Sequence, residues 1–120
     1  MQAKTNDTTV ARGREAESEA AAYLAEHGLR LRERNFRVRG GEIDLIMQDG
    51  PTVVFVEVRA RSRSDFGDAG ASIDAFKQGR IVLAARHWLA RHGECACRFD
   101  CVLIDDGRLR WLRNAFAAEH

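Results

Sequence analysis

The sequence predicts an α/β domain, a mixed central β-sheet flanked by helices, in the order helix, three strands, helix, two strands. Three observations carry this expectation. Helical periodicity covers about residues 10–27 and 72–92. An Asp49-Gly50 pair separates two apolar runs, the pattern of a tight hairpin. The second helix is long enough for a crossover, so the strands on either side of it can run parallel.

Residues 1–8 are polar and are expected to form a mobile tail, leaving residues 9–120 as a single domain. In the first helix, closed by Gly28, Glu17, Ala20, Ala21 and Leu24 share one stripe, whereas Glu15, Glu19 and Glu26 face water. Glu17 is therefore a carboxylate on the inward face and needs a partner. Two readings are open: a buried salt bridge to an arginine, or a side chain directed across the sheet toward the acids described below.

A first strand is expected over residues 35–39. Gly40-Gly41 permits a turn or bulge before a second strand over 42–47. The third strand, 52–61, alternates Val54, Val56 and Val58 on one face with Phe55, Glu57, Arg59 and Arg61 on the other. A glycine-containing loop, 64–70, leads to the second helix. Ile81, Ala84, Ala85 and Trp88 form its apolar face, with Lys77, Arg80, His87 and Arg91 alongside, and Gly93 ends it. A fourth strand, 97–104, turns at Asp105-Asp106-Gly107 into a fifth, 109–112.

The net charge of +1 does not announce a nucleic-acid partner by itself. The arginines are unevenly spread: Arg30, Arg32, Arg34, Arg37 and Arg39 form one run, and Arg59, Arg61 and Arg63 another. They suit either a solvated surface or a phosphate-binding rim. No apolar stretch is long enough to span a bilayer and no signal-peptide pattern opens the chain, so a cytoplasmic location is expected. Three cysteines, Cys95, Cys97 and Cys101, suit a reducing compartment. With His92 they match no standard zinc spacing, and alternation places Cys97 and Cys101 on one buried strand face.

The chemistry concentrates in Asp44 and Glu57, twelve residues apart in the gaps between them and on the two arms of the hairpin. A charge in so apolar a strand is costly unless it is paired, hydrogen-bonded or metal-bound. Two such charges brought together by a hairpin point to a divalent-metal site. The competing reading is an ion network in which Arg59 and Arg61 neutralise both acids.

With these residues in place, the chain resembles the YraN-like proteins, a bacterial family assigned to the restriction-endonuclease-like fold of the PD-(D/E)xK nuclease superfamily. Glu17, Ala20 and Tyr23-Leu24, Asn35, the 41–46 run Gly-Glu-Ile-Asp-Leu-Ile, and the 54–61 run Val-Phe-Val-Glu-Val-Arg-Ala-Arg carry the resemblance. Phe66-Gly67, Lys77 and Arg98-Phe99-Asp100 complete it. The resemblance implies that Asp44 and Glu57 hold Mg2+ or Mn2+, that Arg59 occupies the basic position, and that Glu17 is the helical acid. Arg39, Arg61 and Lys77 are expected nucleic-acid contacts. Two departures stand out: Arg59 where the superfamily has lysine, and Ala16 where the family has glycine. A guanidinium can stabilise charge but cannot act as a general base.

The resulting expectation is a metal-dependent nuclease acting on DNA, with branched or structured DNA as candidate substrate and a homodimer as candidate assembly. The alternative is a nucleic-acid-binding or adaptor protein that keeps the fold without the chemistry.

Overall fold

The computed structural model describes residues 3–61 and 73–118, with side chains over 13–60 and 73–118. Helix α1 (Ala3–Glu26) precedes strands β1 (Arg30–Val38), β2 (Gly41–Asp49) and β3 (Thr52–Arg61). Helix α2 (Ala75–His92) and strands β4 (Cys97–Asp105) and β5 (Arg108–Phe116) follow. The element order is the expected one, and it is compatible with a nuclease-like fold.

The strands form one sheet in the order β1-β2-β3-β4-β5. All neighbours are antiparallel except β3 and β4, which run parallel because α2 carries the chain back between them. The β2–β3 ladder closes at Asp49↔Thr52, leaving Gly50-Pro51 as a two-residue loop. Gly50 has φ +58°, a conformation that favours glycine and matches the twist of the flanking strands.

The helices cover opposite faces of the sheet. Ile81, Val82, Ala85 and Trp88 of α2 pack on Ile43, Ile46, Val53, Phe55 and Phe99. Ala16, Ala20 and Leu24 of α1 pack on Leu45, Met47, Val54, Val56 and Val102. The inward stripe of α1 is thus centred on Ala16, Ala20 and Leu24, with Glu17 and Ala21 at its margin. Asp74 caps α2, its Oδ1 accepting the Lys77 backbone N–H at 2.8 Å. A β-carbon on Gly41 would run into the Arg80 carbonyl oxygen and come within 3.2 Å of the Ala84 nitrogen. Glycine there lets α2 rest directly on the start of β2, and this contact sets how α2 presents Lys77, three residues before Arg80.

The boundaries depart from expectation in several places. Helix α1 starts at Ala3, ahead of residue 10, so part of the segment expected as a tail has helical backbone. Strand β1 starts at Arg30, five residues before 35; it is an almost wholly exposed edge strand, and its arginines give no apolar alternation to detect. Strand β5 continues to Phe116. The 64–70 loop, Ser72 and the Phe66-Gly67 landmark lie outside the described residues. Cys97 is exposed, unlike buried Cys101. The β4–β5 pairing ends at Phe99↔Phe116, so Cys97 lies beyond the cover of β5. Among the described residues, no helix is long and apolar enough to cross a membrane.

Candidate active site

The alternation of β2 breaks at one residue. Ile43 and Ile46 face α2, whereas Leu45 and Met47 face α1. Asp44 lies at this break, and the regular β2–β3 pairing ends beside it, at Leu45↔Val56. Beyond that rung, the Asp44 carboxylate takes over as acceptor: its Oδ2 accepts the Val58 backbone N–H at 2.8 Å. The strands therefore part around an acidic side chain. On the other flank, Asn35 falls between the Arg34↔Leu45 and Phe36↔Ile43 rungs, opposite Asp44, and has φ +52°. Asparagine tolerates this left-handed conformation better than most residues.

Glu57 follows Val53 and Phe55 on the face toward α2 and is 4% exposed. Its Oε2 is 3.6 Å from Arg59 Nη1 and 3.5 Å from Lys77 Nζ, so β3 and α2 each supply one cation. Asp44 and Glu57 are close enough to act on each other directly. Burial first, and the Glu57 charge second, push the Asp44 carboxyl up to about 7. The Val58 N–H and Lys77 oppose that rise. Such a rise is the electrostatic signature of two carboxyls held close together in a partly desolvated place.

Glu17 approaches from α1. Its Oε1 accepts from Asn35 Nδ2 at 3.2 Å and lies 3.8 Å from Arg34 Nη2. Burial and then the Asp44 charge raise its pKa, against the lowering effect of Asn35, Arg34 and Arg37. Both sequence readings of Glu17 therefore hold in part: it has an arginine partner, and it feels Asp44. Among the described residues, no three His, Cys, Asp or Glu side chains converge tightly enough to hold a metal ion. Asp44 and Glu57 are a two-carboxylate set.

The remaining expected residues divide. Lys77 is in the site. Arg39 is exposed in the β1–β2 turn, and no described contact joins it to Asp44 or Glu57. The backbone of Arg61 ends β3, and its side chain lies outside the described residues. Asp100 is fully buried elsewhere, accepting from Arg98 Nε, Trp111 Nε1 and the Asn114 N–H, where it secures a bulge of β5.

Three neighbours of the site were not singled out for it by sequence. Asn35 donates to Glu17; it stood among the residues of the family resemblance, with no role assigned to it. The Val58 N–H is backbone and leaves no sequence trace. Cys101 lies across the parallel rung from Glu57. Burial, then Glu57, push its thiol up to about 12, which keeps it protonated and unreactive.

A family model described as "Uncharacterised protein family UPF0102" matches residues 16–104, a span that includes Glu17, Asp44, Glu57, Arg59 and Lys77. A UPF0102 protein of Dechloromonas aromatica is 66% identical over 119 residues, covering 99% of each chain. One from Nitrosomonas europaea is 55% identical over 109 residues, covering 88% of this chain and 92% of its own. A third, from Janthinobacterium, is 51% identical over 107 residues, covering 88% and 87%. The expected YraN-like membership is met: the chain belongs to the UPF0102 family.

Proposed function

We propose that this protein is a metal-dependent nuclease that hydrolyses phosphodiester bonds in DNA, with branched or structured DNA as its preferred form. The observation that carries the reading is the crowded Asp44–Glu57 pair at the fork between β2 and β3, with a lysine and an arginine against Glu57. An all-oxygen pair of carboxyls, crowded and partly desolvated, fits a hard divalent cation that keeps several waters. Glu17, which feels the Asp44 charge, would take part only through such waters. Bound there, Mg2+ or Mn2+ supplies a polarised water and neutralises charge on the phosphate.

The chain's own residues do the rest. Asp44 and Glu57 hold the ion, and the Val58 N–H fixes the Asp44 carboxylate. Lys77 and Arg59 are 29% and 31% exposed, so both reach solvent and can turn from Glu57 to a phosphate oxygen. There they oppose the charge that develops in the transition state. Lys77 brings to Glu57, from α2, the amine that position 59 lacks. The reading keeps Arg39 and Arg61 as proposed contacts with the DNA backbone.

The same ion pairs favour a second reading. Glu57 already has two cationic partners, and a site so neutralised can bind phosphate without cutting it. The test is incubation of purified protein with linear, flap and four-way-junction DNA in Mg2+ or Mn2+. Cleavage lost in Asp44→Ala and in Glu57→Ala supports the nuclease. Salt-sensitive binding without cleavage supports the binding protein, and no binding at low salt removes both.

A further inference from the structure

The most exposed large hydrophobic side chain among the described residues lies next to Lys77 in the sequence. Phe76 is 76% exposed, in the first turn of α2 and immediately before Lys77. Leu83, 37% exposed, lies two turns on along the same outward face. Gly79, three residues after Phe76, has no side chain. Helical side chains lean toward the N-terminus, so any larger residue at 79 would lean toward the Phe76 ring. The ring is therefore left open. The inward face of α2 is fully used by the core, and neither packing nor capping explains a phenylalanine here.

Cations lie near it along the helix. Lys77 is the next residue, its Nζ 3.5 Å from Glu57 Oε2, and Arg80 follows one turn later on the Phe76 side. Asp74, the acid nearest in sequence, has its Oδ1 committed to the helix cap. An open aromatic ring beside phosphate-seeking cations complements one chemistry well: a nucleotide, with its base on the ring and its phosphate on the cations. Bases inside a duplex are already stacked, and removing one costs several kcal/mol that an unpaired base does not require.

We infer that Phe76 is a stacking platform for an unpaired nucleobase adjoining the phosphate bound by Lys77 and Arg59. The substrate class is then DNA carrying a single-stranded, flapped or mispaired nucleotide at the point of cleavage. This inference rests on the nuclease reading for its substrate, and on the exposed ring for its selectivity.

The experiment uses the full chain as wild type, Phe76→Ala and Phe76→Trp. Each is mixed with blunt duplex and with a flap whose unpaired base is 2-aminopurine, and followed by fluorescence in Ca2+ and by cleavage in Mn2+. Wild type and Phe76→Trp are expected to quench the 2-aminopurine and to favour the flap. Phe76→Ala is expected to lose the quenching and to weaken flap binding roughly tenfold, with duplex handling and melting temperature unchanged. Equal flap preference and quenching in Phe76→Ala overturns the inference and leaves the nuclease intact. A fall of several degrees in the melting temperature of Phe76→Ala also overturns it, because the ring is then covered by its own chain. Phe76-dependent quenching without any cleavage sinks the nuclease reading and leaves the stacking platform standing.

Discussion

Replacing Asp44 by asparagine in metal-free protein tests the electrostatics of the site directly. Asparagine copies the protonated aspartic acid: its Oδ1 can accept the Val58 N–H, and its Nδ2 can donate to Glu57. The wild-type carboxyl, raised from 3.8 to about 7, binds a proton more tightly in the folded chain than in the unfolded one. Its contribution to stability is therefore present in full below about pH 4 and is lost as pH rises to about 7. Three pH units at ~1.4 kcal/mol each set a ceiling of about 4 kcal/mol. Coupling to Glu57 and the stabilising pull of Lys77 reduce this to about 2–4 kcal/mol. For a domain of this size, that corresponds to a melting-temperature difference on the order of 10 °C. In EDTA, wild type and Asp44→Asn should melt together near pH 4 and diverge with rising pH, the variant being the more stable at pH 8. Thermal melts at half-unit pH intervals read this directly. Curves that stay parallel from pH 4 to 8 would mean that Asp44 is ionised throughout and comfortably paired. The crowding that makes the pair attractive to a cation would then not exist.

Other substitutions separate chemistry from scaffold. Lys77→Ala should lower cleavage on the order of a hundredfold while Arg59→Lys changes it only a few-fold, because α2 already brings an amine to Glu57; a large gain in Arg59→Lys turnover would reverse that assignment. Gly41→Ala drives a β-carbon into the Arg80 carbonyl and should cost about 1–3 kcal/mol, with cleavage reduced as α2 and Lys77 move outward; an unchanged urea midpoint would show that the helix can retreat freely. Asp100→Ala strips the Trp111 and Asn114 donors and unbalances Arg98, and should cost about 3–5 kcal/mol. At a temperature where that variant is folded, its cleavage rate should match wild type, and a specific loss of turnover would place Asp100 in the site after all.

What could be read from sequence follows the kind of signal each residue leaves. The β2–β3 hairpin was legible because Asp49-Gly50 stands between two apolar runs, and β3 matched its expected bounds. Asp44 and Glu57 were legible because ionised residues inside such strands demand explanation. β1 was short by five residues because an edge strand with arginines on it shows no contrast between faces. Lys77 was recognised as a basic residue beside the α2 core, but its place against Glu57 depends on Gly41, nearly forty residues earlier, admitting the helix backbone. The Asp44–Val58 bond depends on two strands separating at one rung. Neither local periodicity nor spacing encodes that kind of tertiary coincidence.

The position of Glu57 also bears on how the site would be controlled. One carboxylate oxygen, Oε2, faces both Lys77 and Arg59. With a divalent ion between Asp44 and Glu57, three cationic groups would crowd around two acids. At about 4 Å, each like-charge pair costs on the order of several kcal/mol at the effective dielectric of a protein surface. Lys77 and Arg59 can relieve that repulsion by turning to an anion, and the phosphodiester is the anion the nuclease reading provides. On that reading the two side chains would hold Glu57 and disfavour the metal without DNA, and would let it go with DNA. Metal and phosphate should then each strengthen the other's binding, equally in both directions. Titration of Mn2+ with and without a non-hydrolysable phosphorothioate DNA should show at least tenfold tighter metal binding in its presence. Identical affinities would mean that Lys77 and Arg59 stay on Glu57 throughout, and the ion network would then be structural.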